Sequence, residues 1–394
     1  MKQFLHILFT LITSLAFSQQ KQDTSSIAMV ASAHPMATEA GLLMLKQGGN
    51  AFDAIAASSF MLSVVEPSMS GLGGRLQAIY FVPGQGVKGL DATTQVPAGY
   101  IKKAKEAEQG YGTIGVPGMV KGIVQLHQQY GKLSLKQVMQ PAIEAASKGH
   151  VLLSEESRRE SIEIKELRKF EGTVAHFLQK DTVHAGGSLF KQPALAKTLK
   201  TIARDKGKSF YNGGIAYSLT EEIKQGGGFL TLADMKNYKA EEAKIVRGRY
   251  RGYEIIGTGL PCYGAIVIEM LQMLEQVDLS KVSEKDYLQY HAAAHHKAYE
   301  DRSLLKTKED SLIVGAYAAK RWKDSLPKTM ALPAANTTDH SNGHTTHLVA
   351  SDQSGNMVSI TQSVGPLMGS KVASKKNGFV LATTMGPYLG EMKP

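Results

Sequence analysis

The sequence predicts an α+β fold in which helices dominate first and a strand hairpin follows near the end. Helical patterns fill the first three-quarters of the chain, at residues 38–47, 54–65, 120–130, 135–146, 193–203, 216–224, 263–274 and 284–304. Strand patterns are fewer there, at residues 27–33, 78–82, 243–249 and 253–257. After His344 the strand character rises sharply. The length of 394 residues suits one large domain or two ordinary ones.

Residues 1–18 have the pattern of a secretory signal peptide. One lysine precedes an apolar run from Phe4 to Phe17, and the small residues Ala16 and Ser18 precede an expected cleavage point. This run is too short to span a bilayer, and no later stretch reaches the roughly 20 apolar residues that a membrane helix needs. We therefore expect a periplasmic or secreted protein without a membrane span.

Composition indicates a soluble globular protein with a core of its own, since 43% of residues are hydrophobic and 20% charged. Cys262 is the only cysteine, so internal disulfides are excluded, and its setting predicts a loop. The net charge of +10 is spread along the chain. Its nearest approach to a cluster, Arg247, Arg249 and Arg251, has the period of a solvated strand face. We expect no nucleic-acid partner.

The first helical segments carry clear boundary signals. Gly48 and Gly49 predict the end of the first helix. Asn50 is a good N-cap for the second, which carries Asp53 in its first turn and cannot continue through Pro67. The many small residues of this second helix predict close packing against a sheet or another helix.

Two glycine-rich segments predict turns. Gly71, Gly73 and Gly74 lack the third glycine of a dinucleotide fingerprint, and no Gly-Lys-Ser/Thr follows, so a tight turn that leads into a strand is favoured. The run 226–228 predicts a helix stop.

Histidine clusters raise the alternative of a metal site. His291 and His295 lie four apart on a predicted helix, but the residues between them are alanines, which favours a structural or surface role. A second cluster consists of Asp339, His340, His344 and His347. Its polar surroundings favour a solvated loop, although these four side chains could hold zinc. We predict no metal and no organic cofactor.

Residues 343–365 predict a β-hairpin with two hydroxyls at its open end. Asp352 suits the first position of a type I turn and Gly355 the left-handed position that follows. This turn pairs Asp352 with Asn356, and the same register places Thr345 opposite Ser363. Opposed residues of an antiparallel pair point to one face with Cβ atoms about 5 Å apart.

The hairpin suggests an activated threonine. A polar, turn-like run ending at His344 leads directly into the strand, so the His344–Thr345 bond is open to attack by the Thr345 hydroxyl. Cleavage would free an α-amino group whose pKa of about 7.7–8.0 suits a base at neutral pH. This amine would activate the hydroxyl of its own residue as a nucleophile.

Five segments carry a resemblance to one known family, in the same order as in that family: VASAHPMATEAGLLMLKQGGNAFDAIAA (30–57), VVEPSMSGLGG (64–74), IGVPGMVKGI (114–123), RGRYRGYEI (247–255) and TTHLVASDQSGNMVSIT (345–361). Through these segments the chain from about Ser26 onward resembles the gamma-glutamyltranspeptidases, members of the N-terminal-nucleophile hydrolase superfamily. This resemblance implies a four-layer αββα sandwich of two chains cut from one precursor, 19–344 and 345–394. It also implies that Thr345 is the nucleophile and Ser363 the supporting hydroxyl.

Three departures from the family pattern concern the substrate. Thr93 stands where the family has an arginine for the substrate α-carboxylate, and Gly365 replaces a family asparagine. The acidic pair that receives the substrate α-amino group has no counterpart in residues 383–392. Losing an arginine–carboxylate contact removes a strong and specific interaction. Arg75, where the family usually has glycine, is a candidate replacement cation.

A fourth departure concerns length. The family's second chain is several times longer than 50 residues and carries the glycine pair of the oxyanion hole. We therefore expect the 394-residue sequence to be truncated and inactive, since oxyanion donors contribute about 10²–10³ in rate.

The resemblance thus implies an amidohydrolase or acyltransferase, self-cleaved before Thr345, that acts on γ-glutamyl amides such as glutathione. Water or an amino acid would be the acceptor. One alternative is a family member with non-glutamyl acylase specificity, favoured by Thr93 and Gly365. A second alternative is a non-catalytic or metal-binding protein on the same scaffold, for which the histidine cluster is the best evidence.

Overall fold

The computed structural model describes residues 27–102, 107–323 and 344–386. Its main feature is a six-stranded antiparallel sheet of strand order β1–β11–β12–β2–β3–β8. These strands are β1 (Met29–Ser32), β2 (Arg75–Val82), β3 (Gly86–Ala92), β8 (Glu241–Glu242), β11 (Thr346–Ser351) and β12 (Met357–Ser363). The described residues also form three two-stranded sheets, made of β4 (His150–Val151) with β7 (Leu189–Phe190), β5 (Leu178–Gln179) with β6 (Thr182–Val183), and β9 (Ile245–Tyr250) with β10 (Tyr253–Thr258).

Helices make up most of the rest of the described chain. They are α1 (Pro35–Lys46), α2 (Ala51–Val65), α3 (Met119–Tyr130), α4 (Leu135–Lys148), α5 (Ser154–Ile162), α6 (Ile164–Leu167), α7 (Glu171–Phe177), α8 (Pro193–Asp205), α9 (Lys208–Asn212), α10 (Gly214–Gln225), α11 (Leu232–Asn237), α12 (Gly264–Leu274), α13 (Glu284–Glu300), α14 (Leu305–Leu312) and α15 (Gly315–Lys323). Short 3₁₀ segments occur at Tyr111–Thr113, Leu279–Lys281 and Asp301–Leu304. None of the helices in the described ranges is long and apolar enough to cross a membrane.

The hairpin β11–β12 has the predicted register. Thr346 pairs with Gln362 and Ser351 with Met357. The turn closes through hydrogen bonds from Asp352 N to Asn356 O, 3.1 Å, and from Gly355 N to Asp352 O, 2.9 Å. The φ angle of Gly355 is +82°, the left-handed value that the turn requires and glycine adopts readily. Turn chemistry therefore fixes which side chains share a face at the other end of the hairpin.

One face of the large sheet is covered by helices. Helix α2 packs on β11 and β12, while α1 packs on β1 and α3 on β2 and β3. Every residue of α2 is buried, as its small residues predicted. Asn50 caps this helix, and Asp53 completes a capping box with it. Because side chains of a strand alternate between faces, inward residues such as Leu348, Ile360 and Ala78 join this core.

The opposite face of the sheet is open in the described residues and divides into two halves. Its apolar half includes the exposed side chains of Met29, Phe81, Val349 and Met357. The other half is polar and lies at the open end of the hairpin. The described residues thus show one sheet layer and one helical layer.

A second, smaller hydrophobic core lies in residues 245–323, where β9, β10 and α12–α15 pack around Met273, Ala298 and Trp322. Arg247 and Arg249 lie exposed on β9, as predicted for a solvated strand. Arg251 does not share that face, because it occupies the left-handed turn after the strand with φ of +49°. The prediction for Arg251 was therefore wrong.

Candidate active site

The open end of the hairpin brings two hydroxyl groups together. Thr345 immediately precedes β11 and its side chain is exposed, whereas Ser363 ends β12 and is 5% exposed. Thr345 Oγ1 donates a hydrogen bond of 3.1 Å to Ser363 Oγ. The register predicted from the turn thus places the hydroxyls in contact.

The Ser363 hydroxyl also touches the peptide group before Thr345. It donates to the carbonyl oxygen of His344 over 2.9 Å and accepts the backbone N–H of Gly365 over 2.9 Å. A serine hydroxyl has one proton and two lone pairs, and these three contacts use all of them. The hydroxyl proton is therefore aimed at the carbonyl of the His344–Thr345 bond, while the Thr345 hydroxyl points at the serine oxygen.

Glycines of the turn before β2 allow this close approach. Gly74 N donates to Gly71 O over 2.9 Å, which confirms the predicted tight turn. A Cβ atom on Gly74 would lie 2.5 Å from Ser363 O, and one on Gly73 would lie 2.3 Å from Val380 O. Both positions exclude any larger residue, because the backbones on either side are in contact.

Arg75 lies on the same face as the two hydroxyls. It pairs with Ser363 across β2 and β12, and directly opposed residues point to one face. Two inter-strand spacings of about 4.8 Å separate the backbone of Arg75 from that of Thr345, which is roughly 10 Å. Arg75 Nη2 lies 3.4 Å from the position that a Cβ atom on Gly365 would occupy. The guanidinium thus fills the space beside Gly365, where a larger side chain would project.

Thr93 follows directly after β3. Leu76 pairs with Ala92, so extending the register by one residue places Thr93 opposite Arg75 and farthest from Thr345 in this row. Its backbone N–H and its hydroxyl donate to Asp91 Oδ1 over 3.0 and 2.7 Å. The Thr93 side chain is therefore engaged by a carboxylate.

The histidine cluster is only partly described, since Asp339 and His340 lie outside the described residues. His347 Nδ1 lies 2.9 Å from Thr361 Oγ1, and Nε2 lies 3.2 Å from Ser359 Oγ. Burial lowers the pKa of His347. Over the ranges that the structure describes, no three histidine, cysteine or carboxylate side chains come together as a metal site.

The remaining candidate side chains lie elsewhere. His291 and His295 are on α13, where the ring of His295 stacks on Tyr299 at 5.8 Å. Cys262 lies in the predicted loop, between β10 and α12, and burial raises the pKa of its thiol. A raised pKa disfavours the thiolate and hence a nucleophilic role.

Comparisons with known proteins establish the family of the chain. A gamma-glutamyltranspeptidase family model matches residues 37–393. The Acylase ACY 1 proenzyme of Pseudomonas sp. (strain V22) is 31% identical over 92% of this chain and 70% of that protein. The chain belongs to the gamma-glutamyltranspeptidase family.

Two further relatives show how varied the family is. The glutathione hydrolase proenzyme of Bacillus subtilis (strain 168) is 29% identical, with 93% of this chain and 69% of that protein covered. The crystal structure of cephalosporin acylase from Bacillus halodurans matches with a TM-score of 0.83 and 26% identity, over 94% of this chain and 72% of that chain. Gamma-glutamyltranspeptidase relatives with hydrolase and with acylase names are thus about equally similar to this chain.

One group at this site was not predicted from the sequence. Thr346, on the helix-covered face of the sheet, donates a hydrogen bond to the buried carboxylate of Glu66 at the end of α2. A glutamate directly after the apolar run MLSVV was the available signal, because carboxylates are seldom buried without a partner.

Proposed function

We propose that this protein is a self-cleaving amidohydrolase in which Thr345 becomes the N-terminal nucleophile. The observation that carries the proposal is the hydrogen-bond chain from the Thr345 hydroxyl through the Ser363 hydroxyl to the His344 carbonyl. These hydrogen bonds bring together, at one end of one hairpin, the hydroxyl that would attack, a supporting hydroxyl and the carbonyl that would be attacked.

Self-cleavage would proceed in two steps. In the first, Thr345 Oγ1 attacks the His344 carbonyl carbon, the C–N bond breaks, and the hydroxyl proton passes to the departing nitrogen. Ser363 stabilises the negative charge that develops on the carbonyl oxygen through its hydrogen bond. In the second step water hydrolyses the resulting ester. The products are a carboxylate on His344 and a free amine and hydroxyl on Thr345.

The matured enzyme would use the same groups on a substrate amide. The new α-amine, with a pKa of about 7.7–8.0, takes the proton of the Thr345 hydroxyl and later passes it to the leaving amine. The acyl group remains on Thr345 as an ester until water or an amino acid accepts it. None of these steps calls for a cofactor.

The acyl group of the substrate would carry a carboxylate bound by Arg75. Two replacements support this choice together: Thr93 removes the family arginine, and Gly365 leaves the space that the Arg75 guanidinium fills. An arginine pairs with a carboxylate through two parallel hydrogen bonds, which gives both affinity and orientation. Substrates of this class include γ-glutamyl amides, such as glutathione, and glutaryl amides.

A second candidate is therefore an acylase for dicarboxylic acyl groups without an α-amino group. Its support is the changed position of the cation, from residue 93 to residue 75. The acylase names among the relatives also favour it.

Hydrolysis of a matched substrate panel tests the proposal. The full-length gene product, including any residues beyond residue 394, is assayed with γ-glutamyl, glutaryl, oxamyl and uncharged pentanoyl anilides. It is compared with its Thr345→Ala and Arg75→Ala variants. We expect T345A to lose all turnover. R75A should raise KM by about 10-fold or more for acidic acyl groups, as expected for a lost charge-assisted contact, and leave KM for the pentanoyl substrate unchanged.

Arg249→Ala is the matched control, because this exposed arginine lies on β9, in the segment 245–323 that contains the second hydrophobic core. An unchanged KM of R75A for every acidic substrate would exclude the arginine from binding. A higher kcat/KM for the glutaryl than for the γ-glutamyl anilide would favour the acylase candidate over the glutathione hydrolase. Turnover by T345A would contradict both.

Two wider features complete the proposal. The open apolar face of the sheet suits a second sheet, as in the four-layer αββα arrangement that the family resemblance implies. Residues 1–18 support a periplasmic or secreted location.

A further inference from the structure

A buried polar network lies on the helix-covered face of the sheet, opposite the face on which the Thr345 side chain lies. Thr346 is 2% exposed and points away from Thr345, because neighbouring side chains of a strand alternate between faces. Thr346 Oγ1 donates a hydrogen bond of 3.1 Å to Glu66 Oε2. Glu66 is 5% exposed and closes the last turn of α2. The residue after the nucleophile is therefore tied to a buried carboxylate.

The other oxygen of Glu66 is held by a cation. Arg159 Nη1 on α5 lies 3.3 Å from Glu66 Oε1 and 3.4 Å from Oε2 of Glu156. Burial raises the pKa of Glu156 to about 7. Glu156 in turn accepts the backbone N–H and the hydroxyl of Ser68, over 2.9 and 2.8 Å. Helix α5 thus fixes both Glu66 and the loop that follows it.

The same loop, residues 66–70, holds the segment that carries the supporting hydroxyl. Its carbonyl groups at Met69 and Ser68 accept the N–H groups of Val364 and Met368, over 3.1 and 2.9 Å. Ser70 Oγ accepts Gln362 Nε2 over 2.9 Å. Glu66 therefore binds the strand that follows Thr345, and it also begins the loop that binds the residues around Ser363.

The buried charges of this network are weak evidence for a stabilising role. Removing carboxylates from water is costly, and buried ion pairs often stabilise a protein no more than apolar residues of the same volume would. Intramolecular attack, in contrast, demands reacting atoms about 3–3.5 Å apart, and an error of about 1 Å can cost roughly 10²-fold in rate. The hydrogen bond from Thr346 to Glu66 fixes Thr346 on the helix-covered face of the sheet and thereby sets the backbone direction of Thr345.

We infer that Glu66 is a positioning residue for the proposed self-cleavage: held by Arg159, it binds the Thr346 hydroxyl and thereby aims Thr345 at the His344 carbonyl. It touches neither the reacting atoms nor a substrate. The inference rests on the proposed function, since it assigns Glu66 a part in that reaction.

The test is the rate of self-cleavage in freshly synthesised full-length protein, followed by gel and intact mass. We expect Glu66→Ala and Thr346→Val each to slow cleavage by about 10-fold or more. Glu66→Gln keeps an acceptor for Thr346 and should fall between E66A and the parent. Thr346→Ser keeps the hydroxyl and should cleave at the parental rate. The double variant E66A/T346V should be no slower than the slower single variant, because both remove one contact.

Asp53→Asn is the matched structural control. Asp53 is a fully buried carboxylate on the same helix, and its partners are far from Thr345 along that helix. This variant should lower the melting temperature and leave the cleavage rate unchanged at temperatures where it stays folded. A purely structural role for Glu66 would give E66A the same result as D53N: a lower melting temperature and a parental cleavage rate wherever the variant stays folded.

The outcomes separate the inference from the proposed function. Parental rates in E66A and T346V, or additive losses in the double variant, would overturn the inference alone. If E66A does not fold, the Thr346 pair decides: slow T346V with normal T346S supports the inference, and equal rates overturn it. An uncleaved parent would overturn the proposed function and the inference with it.

Discussion

Both proposed reactions depend on the hydroxyl group of Ser363. Its single proton goes to the His344 carbonyl, and its lone pairs receive Thr345 and Gly365. A methyl group in its place would leave the carbonyl without its donor and the Thr345 hydroxyl without its acceptor. Both losses act on the atoms that react.

We predict that Ser363→Ala slows self-cleavage by about 10²-fold, the size of effect seen when one oxyanion-type donor is lost. Ser363→Thr keeps the hydroxyl and should cleave within a few-fold of the parent. The measurement is the first-order rate of appearance of the Thr345 N-terminus. Normal cleavage in S363A would remove this hydroxyl from the mechanism.

Among the elements, helix α2 packs against the two strands that carry the site, β11 and β12. Asp53 fixes the start of this helix. The carboxylate accepts N–H groups of Asn50, Lys132 and Leu133 and lies 3.1 Å from His127 Nε2. Burial alone would raise the pKa of Asp53, but the hydrogen bonds outweigh burial and lower it.

Because the pKa of Asp53 is lowered on folding, its stabilisation is present above the unfolded pKa and is lost as the pH falls through the folded value. We predict that D53N loses about 1–3 kcal/mol of stability at pH 7, the cost of breaking buried hydrogen bonds to a charged group. The difference from the parent should shrink on acidification below about pH 4. Urea unfolding across pH measures it, and a constant difference would contradict the assignment.

The elements also show what the sequence could and could not predict. Thr345 and Ser363 are 18 residues apart, so turn chemistry alone was enough to pair them. The Glu66–Thr346 contact spans 280 residues and depends on the packing of α2 under the sheet, which no local pattern encodes. Helix α5, sequence SEESRRESI, escaped prediction because it has no apolar stripe, and β3 escaped because glycines interrupt its pattern.

Across the whole chain, the strands that follow the proposed cleavage point lie inside the large sheet. β11 pairs with β1, and β12 pairs with β2, so both neighbours come from the part of the chain before His344. Inward residues of both strands also belong to the main core. This order of strands could not be predicted, because only long-range pairings determine it.

This topology predicts that the two chains stay together after cleavage. Native size-exclusion chromatography should give one peak that contains both chains, and they should separate only under denaturing conditions. Dissociation would expose two strand edges and the core face of the hairpin, which makes it unfavourable. Two separate native peaks would contradict the central position of β11 and β12.

The proposed function requires that Thr345 itself cleaves the His344–Thr345 bond. Intact-mass analysis of the purified parent and of Thr345→Ala is the decisive measurement. We expect two species in the parent, with the second chain beginning at Thr345, and a single uncut chain in T345A. An uncut parent, or the same cut in T345A, would contradict it.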